Sequence, residues 1–252
     1  MNRIRDIIPL WRLERARERL KRLTWSRARI IDERDNRYIR QILAYVLRED
    51  STCVDVGGHQ GGFVREFFRF APRGKCYVCE PLPHLAAKLS ELFANAEVFN
   101  VALSDRRGES PFVHVLSDSA WSGLKLTPEA EERHLAVETL MVKTCPMDDL
   151  IPEDVKIDLI KIDVEGAELQ VLRGAARTIL RSRPYILFEH GSHAAAYGTT
   201  PDMIYSLLGE WGFCILGVDG SGPLSQDKFA SSPQAGRWNF LARPVSGEPR
   251  RR

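Results

Sequence analysis

The sequence contains no long apolar run and almost no net charge. No stretch approaches the ~20 consecutive apolar residues that a membrane-spanning helix needs, and the amino-terminal residues lack the apolar centre of a secretory signal. The formal net charge is only +2, so the composition by itself requires neither a nucleic acid nor another acidic partner. We therefore expect a soluble, cytoplasmic, globular protein.

Cysteine is also scarce. The chain has five cysteines, an odd number, and four of them stand in apolar, strand-like surroundings. This pattern is typical of reduced, buried thiols rather than of a disulfide framework. Cys76 and Cys79 have half the spacing of a zinc site, but no second Cys or His pair follows nearby. We therefore interpret them as core residues and predict no metal site.

The charge is nevertheless unevenly distributed along the chain. Residues 1–30 carry ten basic and three acidic side chains, and apolar residues recur partly on one helical face. This pattern predicts a basic helical extension over residues 1–40 that packs on the rest of the protein. The second interpretation is weak contact of residues 1–30 with a membrane surface.

Residues 41–245 alternate between strand-like and helix-like segments and are predicted to form the main domain. The strand-like segments are STCVDVG, KCYVCE, EVFNVAL, KIDLIKID, PYILFEH, FCILGV and RWNFLAR, and the helix-like segments cover 61–70, 84–94, 166–181 and 201–211. This alternation predicts an α/β fold with an open, mostly parallel sheet and helices on both faces. Residues 104–156 interrupt the pattern, and we expect them to lie over the carboxyl edge of the sheet, where such folds bind ligands. The tail, residues 246–252, is predicted to be disordered.

The stretch CVDVGGHQGGF places four glycines between a predicted strand and a predicted helix. A dinucleotide fingerprint needs its second glycine where the pyrophosphate approaches the backbone, and His59 stands at that position. No Lys-Ser or Lys-Thr pair follows, as a P-loop would require. The loop is therefore a poor phosphate cradle. Asp55 at the strand end favours a ligand that is cationic and free of phosphate, and S-adenosylmethionine fits that description.

Glu80 supports the same interpretation. It ends the next predicted strand, about twenty positions after the first glycine, where an acidic residue commonly accepts hydrogen bonds from ribose hydroxyls. A solvated strand end is the alternative for Glu80 considered alone. In combination with Asp55 and the glycines, the nucleoside-binding role is favoured.

Taken together, these segments resemble a known family. VDVGGHQGGF, CEPLPH, NVALSD, DLIKIDVEGAELQVLRGA and RPYILFEH are similar, in order and spacing, to the FkbM family of S-adenosylmethionine-dependent methyltransferases. The resemblance covers about residues 50–192, and KIDVEGAE is its most specific part. It implies a Rossmann-like seven-stranded methyltransferase sheet and O-methylation of a hydroxyl on a small molecule or glycan. The chain departs from the family at Gly58-His59, where Ala-Asn is usual, so the hydrogen bonds near the methionine end are expected to differ.

The resemblance also assigns cofactor-binding residues. It implies that Asp55, Gly57 and Gly61 line the methionine and ribose parts of S-adenosylmethionine. Glu80 would bind the ribose hydroxyls, and the turn that follows the third strand would flank the adenine. The full predicted set is Asp55, Val56, Gly57, His59, Gly61, Glu80, Pro81, Ala102 and Leu103.

Catalytic residues are expected at the carboxyl ends of the central strands. Methyl transfer requires an acceptor oxygen that is held in line and loses its proton, and Asp163, Glu165 and His190 are the candidates. His59 of the glycine loop is a further candidate for the base. Asp163 would contact the cofactor's amino group or position the acceptor, whereas Glu165 has a helix-dipole role as its alternative. His190 suits a general base or is an ordinary strand-end histidine. Lys161 stays open between a site role and a structural ion pair with Asp163 or Glu189.

Two other functions stay open. The basic amino terminus would also suit an RNA methyltransferase, but an Asn-Pro-Pro-Tyr type of motif is absent and Asp-Val-Glu-Gly stands in its place. A non-catalytic cofactor-binding or membrane-docking protein is the other alternative, and the retained carboxylates argue against it. The leading prediction is an S-adenosylmethionine-dependent O-methyltransferase that acts on a sugar, glycan or secondary metabolite and has no nucleic-acid partner.

Overall fold

The computed structural model describes residues 27–117, 119–126 and 131–245. Most of the predicted basic extension and the predicted tail lie outside these residues. None of the helices that are described is long and apolar enough to cross a membrane.

The described residues form two β-sheets. Their strands are β1 (Thr52–Val56), β2 (Lys75–Cys79), β3 (Ala96–Phe99), β4 (Ala102–Leu103), β5 (Gly108–Val115), β6 (Val137–Cys145), β7 (Leu159–Ile162), β8 (Tyr185–Glu189), β9 (Phe213–Gly217) and β10 (Asn239–Pro244). Seven of them build the main sheet in the order β3-β2-β1-β7-β8-β10-β9. All neighbours are parallel except β10, which pairs antiparallel with β8 and β9. The predicted seven-stranded, mostly parallel sheet is confirmed.

Helices cover both faces of the main sheet. They are α1 (Arg27–Val46), α2 (Gly62–Phe70), α3 (Pro83–Leu92), α4 (Glu168–Gly174), α5 (Ala176–Ser182), α6 (Pro201–Glu210) and α7 (Gln226–Ser231). Successive side chains of a strand point to opposite faces. Cys53 of β1 therefore lies in one core cluster with Leu43 of α1 and Phe67 of α2. Its neighbour Val54 lies in the other cluster with Leu172 of α4.

The expected third strand, EVFNVAL, is divided between the two sheets, so the prediction of one continuous strand is wrong. β3 ends at Phe99 because the side-chain amide of Asn100 donates to the carbonyl oxygens of Glu80, at 3.0 Å, and Pro81, at 2.8 Å. The chain then turns, and β4 pairs in parallel with β6 in the second sheet. This turn brings the short strand β4 beside the carboxyl end of the main sheet.

The expected helix over residues 166–181 is also two helices. Glu165 has φ +53° and Gly166 has φ +106°, so helical geometry begins only after them, at Glu168. α4 ends at Gly174, where an added Cβ would overlap the carbonyl oxygen of Ser104. The close contact fixes this end of the helix against the segment that follows β4.

The segment predicted to lie over the carboxyl edge contains most of the second sheet. β5 and β6 form an antiparallel pair, and β4 joins β6 on its other side. Phe112 of β5 shares a small core cluster with Leu82 and Leu85 at the start of α3. The second sheet is thereby attached to the end of β2, which leads into that helix.

Candidate active site

A cleft of about 890 Å³ opens at the carboxyl ends of the central strands. The loops that follow β1, β2 and β7 contribute Gly57, Glu80 and Asp163 to its wall, and β8 contributes Glu189. Phe112 of the second sheet lines the opposite side. The carboxyl ends of neighbouring parallel strands therefore converge on one cavity, as the sequence predicts for a ligand site.

The glycine loop is locked between β2 and β7. The N–H groups of Gly57 and Gly58 both donate to the carbonyl oxygen of Cys79, at 3.0 and 3.2 Å. Gly57 has φ +86°, and an added Cβ would overlap the carbonyl oxygen of Asp163. Only glycine fits this position, because both the space and the backbone conformation exclude a side chain.

His59 connects the loop to two other elements. It has φ +46°, and its N–H donates to Oε2 of Glu80 at 2.7 Å. Its Nε2 lies 2.7 Å from the hydroxyl oxygen of Ser119, in the segment between β5 and β6. His59 thus links the loop, the end of β2 and the segment between β5 and β6.

Glu80 is held in a defined orientation. Its side chain is buried, and its two carboxylate oxygens accept the N–H groups of His59 and Leu82, at 2.7 and 2.9 Å. Burial raises the pKa of Glu80, and these two N–H groups only partly oppose the shift. Because a carboxylate has about four acceptor sites, Glu80 can accept further hydrogen bonds from a ligand in the cleft.

The predicted cofactor residues divide into those that line the cleft and those that lie behind it. Val56, Gly57, His59, Glu80, Pro81, Ala102 and Leu103 line it. Gly61 does not belong to the wall; it has φ +76° at the start of α2, where an added Cβ would overlap the ring of Phe93. Asp55 is fully buried and also stands behind the wall. The geometry therefore gives these last two residues structural contacts, and their contact with a cofactor stays a prediction.

Lys161 joins Asp55 to the cleft. Its Nζ lies 3.1 Å from Oδ2 of Asp163 and 3.5 Å from Oδ1 of Asp55, and it donates to the carbonyl oxygen of Gly57 at 3.2 Å. Burial lowers the pKa of Lys161, but the carboxylates of Asp163 and Asp55 outweigh burial and raise it overall. Burial raises the pKa of Asp55 to about 6, although Lys161 opposes the shift. The anticipated ion pair of Lys161 with Asp163 is present.

Three glutamates extend the acidic group beyond Asp163. Glu165 and Glu189 line the cleft, whereas Glu168 is buried below it and accepts the N–H of Gly166 at 2.9 Å. Burial, reinforced by neighbouring carboxylates, raises the pKa of Glu189 well above its usual value. Burial raises the pKa of Glu168 to about 8. Burial therefore favours the protonated forms of Glu189 and Glu168 at this end of the cleft.

His190 does not reach the cleft. Its ring stacks on Phe229 at a centroid distance of 5.4 Å, it is buried, and it is not part of the wall. Burial lowers its pKa to about 4, so the imidazole is neutral at physiological pH. The geometry gives no support to the predicted role of His190 as a general base, because the ring faces the core.

A model of the Methyltransferase FkbM domain matches residues 55–215. The chain belongs to the FkbM methyltransferase family. The predicted family resemblance is therefore confirmed. The match covers the glycine loop, Glu80, the acidic group and the strands of the main sheet except most of β1, the last two residues of β9 and the whole of β10.

The individual relatives share less than a third of their aligned residues with this chain. The 2-O-methyltransferase NoeI of Sinorhizobium fredii is 28% identical over 176 residues, which cover 64% of this chain and 72% of NoeI. The AMB antimetabolite synthetase AmbE of Pseudomonas aeruginosa is 28% identical over 205 residues, which cover 67% of this chain but only 10% of AmbE. Among solved structures, a methyltransferase FkbM from Methylobacillus flagellatus has 16% sequence identity and a TM-score of 0.47, covering 78% of this chain and 44% of that chain.

Parts of the cleft lie outside the matched FkbM domain. Asp32 and Ile39 of α1 line it, as does Trp238 immediately before β10. The side-chain amide of Asn239 donates to Oδ2 of the buried Asp35 at 3.2 Å, which attaches α1 to β10. In this FkbM protein, part of the cleft wall is therefore built from both ends of the described chain, outside the matched domain.

Sequence reasoning missed His193 as well as this part of the cleft wall. His193 lies in a short 3₁₀ turn, Ser192–Tyr197, after β8, lines the cleft, and has its Nδ1 2.7 Å from Oε2 of Glu165. A histidine three residues beyond the predicted strand end, next to the predicted His190, was the available signal. Only the turn that follows Glu189 determines which of the two histidines reaches the cleft.

Proposed function

We propose that this FkbM family member is an S-adenosylmethionine-dependent O-methyltransferase. The observation that carries the proposal is the glycine loop, in which the N–H groups of four residues are bound by the protein itself. The N–H groups of Gly57 and Gly58 donate to the carbonyl oxygen of Cys79, and the N–H of Gly61 donates to the carbonyl oxygen of Gly58. The N–H of His59 donates to the carboxylate of Glu80. A phosphate cradle needs such groups to be available, so the loop suits a nucleoside without phosphate.

The residues present fit S-adenosylmethionine. Glu80 offers an oriented carboxylate to the two ribose hydroxyls, which are hydrogen-bond donors. The close approach of Gly57 to Asp163 leaves a smooth wall for the methionine part, and Ala102 and Leu103 offer small and apolar surfaces for the adenine. When bound, the cofactor supplies a methyl group that is already activated by its sulfonium. The protein's remaining tasks are to orient the acceptor oxygen and to remove its proton.

The charge of the cleft supports an acceptor that is neutral or cationic. Seven carboxyl side chains and three Lys or Arg side chains line the wall; the acids are Asp32, Asp35, Glu66, Glu80, Asp163, Glu165 and Glu189. Polyanions such as RNA would be repelled by such a wall, which argues against the RNA methyltransferase alternative. Trp121 and Trp238 also line the cleft, and a tryptophan ring combined with carboxylates suits a hydroxylated ring such as a sugar. We therefore propose a hydroxyl of a sugar, glycan or secondary metabolite as the methyl acceptor.

Isothermal titration calorimetry tests the cofactor proposal. We expect the wild-type protein to bind S-adenosylmethionine and S-adenosylhomocysteine with micromolar-range Kd values and to show no heat of binding with NAD. Gly57→Ala should abolish binding because its Cβ overlaps Asp163. Gly62→Ala is the matched control, since an added Cβ at Gly62 meets nothing within 4 Å. Binding of NAD in preference to S-adenosylhomocysteine, or equal binding by both alanine variants, would overturn the proposal.

A further inference from the structure

His193 and Glu165 form a pair at the end of the cleft that also contains Asp163 and Glu189. Both side chains line the cavity and are largely buried, with exposed fractions of 22% for His193 and 16% for Glu165. Nδ1 of His193 lies 2.7 Å from Oε2 of Glu165, and among the described residues this buried Oε2 has no other polar contact and no hydrogen bond of ordinary geometry. Burial raises the pKa of Glu165, and the contact with His193 opposes that shift. In its ionised form Glu165 favours the proton on Nδ1, which leaves Nε2 as the basic nitrogen of the neutral ring.

The backbone around the pair is built to hold it. Glu165 adopts φ +53°, a left-handed conformation that is unfavourable for a residue with a side chain. Gly166 follows with φ +106°, and an added Cβ would lie 2.6 Å from the carbonyl oxygen of His193. The loop after β7 is thus fitted against the backbone of the His193 turn. Unfavourable backbone conformations often occur at functional sites, and this one carries the carboxylate that contacts His193.

The other side of the turn is fixed by the segment that follows β5. The backbone N–H of Lys125 donates to the hydroxyl oxygen of Tyr197 at 2.9 Å, and Nζ of Lys125 donates to the carbonyl oxygen of Ala196 at 2.8 Å. Trp121 lies 6.3 Å from the ring of His193, centroid to centroid. His193 therefore stands between the main sheet and the segment that carries Trp121, where an acceptor would enter.

The other titratable groups at this end are less suited to removing a proton. Lys161 is held as a cation by Asp163 and Asp55, and Asp163 is committed to Lys161. Burial and the neighbouring carboxylates raise the pKa of Glu189, which favours its protonated form, and that form cannot accept a proton. His190 faces the core.

We propose that His193 is the general base of the methyl transfer and that Glu165 is a positioning residue that sets its tautomer. This inference rests on the proposed function. The acceptor O–H bond breaks as its proton passes to Nε2 of His193. The acceptor oxygen then bonds the methyl carbon while the carbon–sulfur bond breaks, and the electron pair remains on sulfur as the thioether. The proton leaves His193 for solvent after the methyl ether departs.

Three substitutions test the pair. His193→Ala removes the base, Glu165→Gln removes the positioning charge, and Glu138→Gln is the matched control. Glu138 forms an equivalent pair on the second sheet, with Oε1 2.8 Å from Nδ1 of His114, and it is not part of the cleft wall. All variants are first titrated with S-adenosylhomocysteine by calorimetry, and we expect His193→Ala to bind it within threefold of the wild type.

Turnover is then measured with radiolabelled S-adenosylmethionine and a panel of methyl glycosides of neutral and amino sugars. Loss of a general base typically lowers the rate by about 10²–10⁴-fold. We therefore expect the kcat of His193→Ala to fall by that factor, with little change in the KM for S-adenosylmethionine. Added imidazole should restore part of the rate. Glu138→Gln should match the wild type. Wild-type turnover by His193→Ala would overturn the inference.

A spectroscopic measurement keeps the inference testable if no member of the panel is methylated. Long-range ¹H–¹⁵N spectra of the imidazole rings distinguish the tautomers. We expect His193 to carry its proton on Nδ1 in the wild type and in Glu138→Gln, and on Nε2 in Glu165→Gln. An unchanged tautomer in Glu165→Gln would refute the role of Glu165. Cofactor binding without turnover of any glycoside would instead refute the proposed acceptor class, so the two failures are distinguishable.

Discussion

Replacing Glu80 by alanine should weaken cofactor binding far more than it weakens the fold. Glu80 accepts N–H groups from His59 and Leu82, and in the proposed complex it also accepts two ribose hydroxyls. Hydrogen bonds to a charged group contribute about 1.5–3 kcal/mol each, so the loss of two would cost about 3–6 kcal/mol of binding. At about 1.4 kcal/mol per tenfold, Kd for S-adenosylhomocysteine should rise by roughly 100-fold to 10,000-fold.

The effect of the same substitution on stability should be smaller. Leu82 is fully buried, so its N–H would lose its partner at a cost of about 1–3 kcal/mol, whereas water can reach the less buried His59. For a chain of this size about 1 kcal/mol corresponds to a change of about 2–4 °C in Tm, and we expect a decrease in Tm of about 2–12 °C. Calorimetric titration and thermal unfolding measure the two quantities separately.

Two further variants make the Glu80 prediction specific. Glu80→Gln should bind the cofactor nearly as weakly as Glu80→Ala, because an amide cannot accept both backbone N–H groups. Glu97→Gln is the control, since Glu97 lies on the adjacent strand β3 in an exposed pair with Lys75 at 2.8 Å. Such exposed pairs contribute little, so this variant should behave as the wild type. A folded Glu80→Ala protein that binds within threefold of the wild type would refute the reasoning.

The remaining predictions concern buried charges. Glu168 has a pKa of about 8 in the folded protein, against a usual 4.5, so the folded state binds more protons than the unfolded state between these values. The free energy of unfolding should therefore fall as pH rises from about 4.5 to 8, by at most about 5 kcal/mol, and urea unfolding should show a flatter profile for Glu168→Gln; an identical profile would contradict the assignment. Lys161→Met leaves Asp55 without its cation and should reduce the free energy of unfolding by about 3–5 kcal/mol. Lys161→Arg should reduce the free energy of unfolding by a smaller amount. Equal stability of Lys161→Met and the wild type would show that the ion pair contributes nothing.

Much of the fold could be predicted because its signals are local. β1 and β2 are short apolar runs, and each is followed by residues that do not continue the strand, such as the glycine loop after β1. Because neighbouring parallel strands end at the same edge of a sheet, Glu80 and Asp163 were expected at the cleft. EVFNVAL was harder, because its division depends on hydrogen bonds from Asn100 to Glu80 and Pro81. Periodicity carries no information about such a long-range contact.

The site was less predictable than the fold. The alternation of side chains along β8 puts His190 on the face opposite to Glu189, and of the two only Glu189 lines the cleft. His193 reaches the cleft through an irregular turn, and Asp32 does so through a helix that is distant in sequence from the other site residues. Such positions depend on tertiary packing, which a single sequence does not encode in a readable pattern.

The position of β10 has a practical consequence for making shorter versions of the protein. β9 is hydrogen-bonded only to β10 within the main sheet, and β10 also pairs with β8. A recombinant fragment trimmed to residues 55–215 would lack most of the central strand β1 and the whole of β10, which leaves β9 without a partner and one edge of β8 exposed. We therefore expect it to aggregate. Changes in acceptor preference are better sought by substituting residues of α1 and the segment before β10, since these contact the cleft from outside the shared family core.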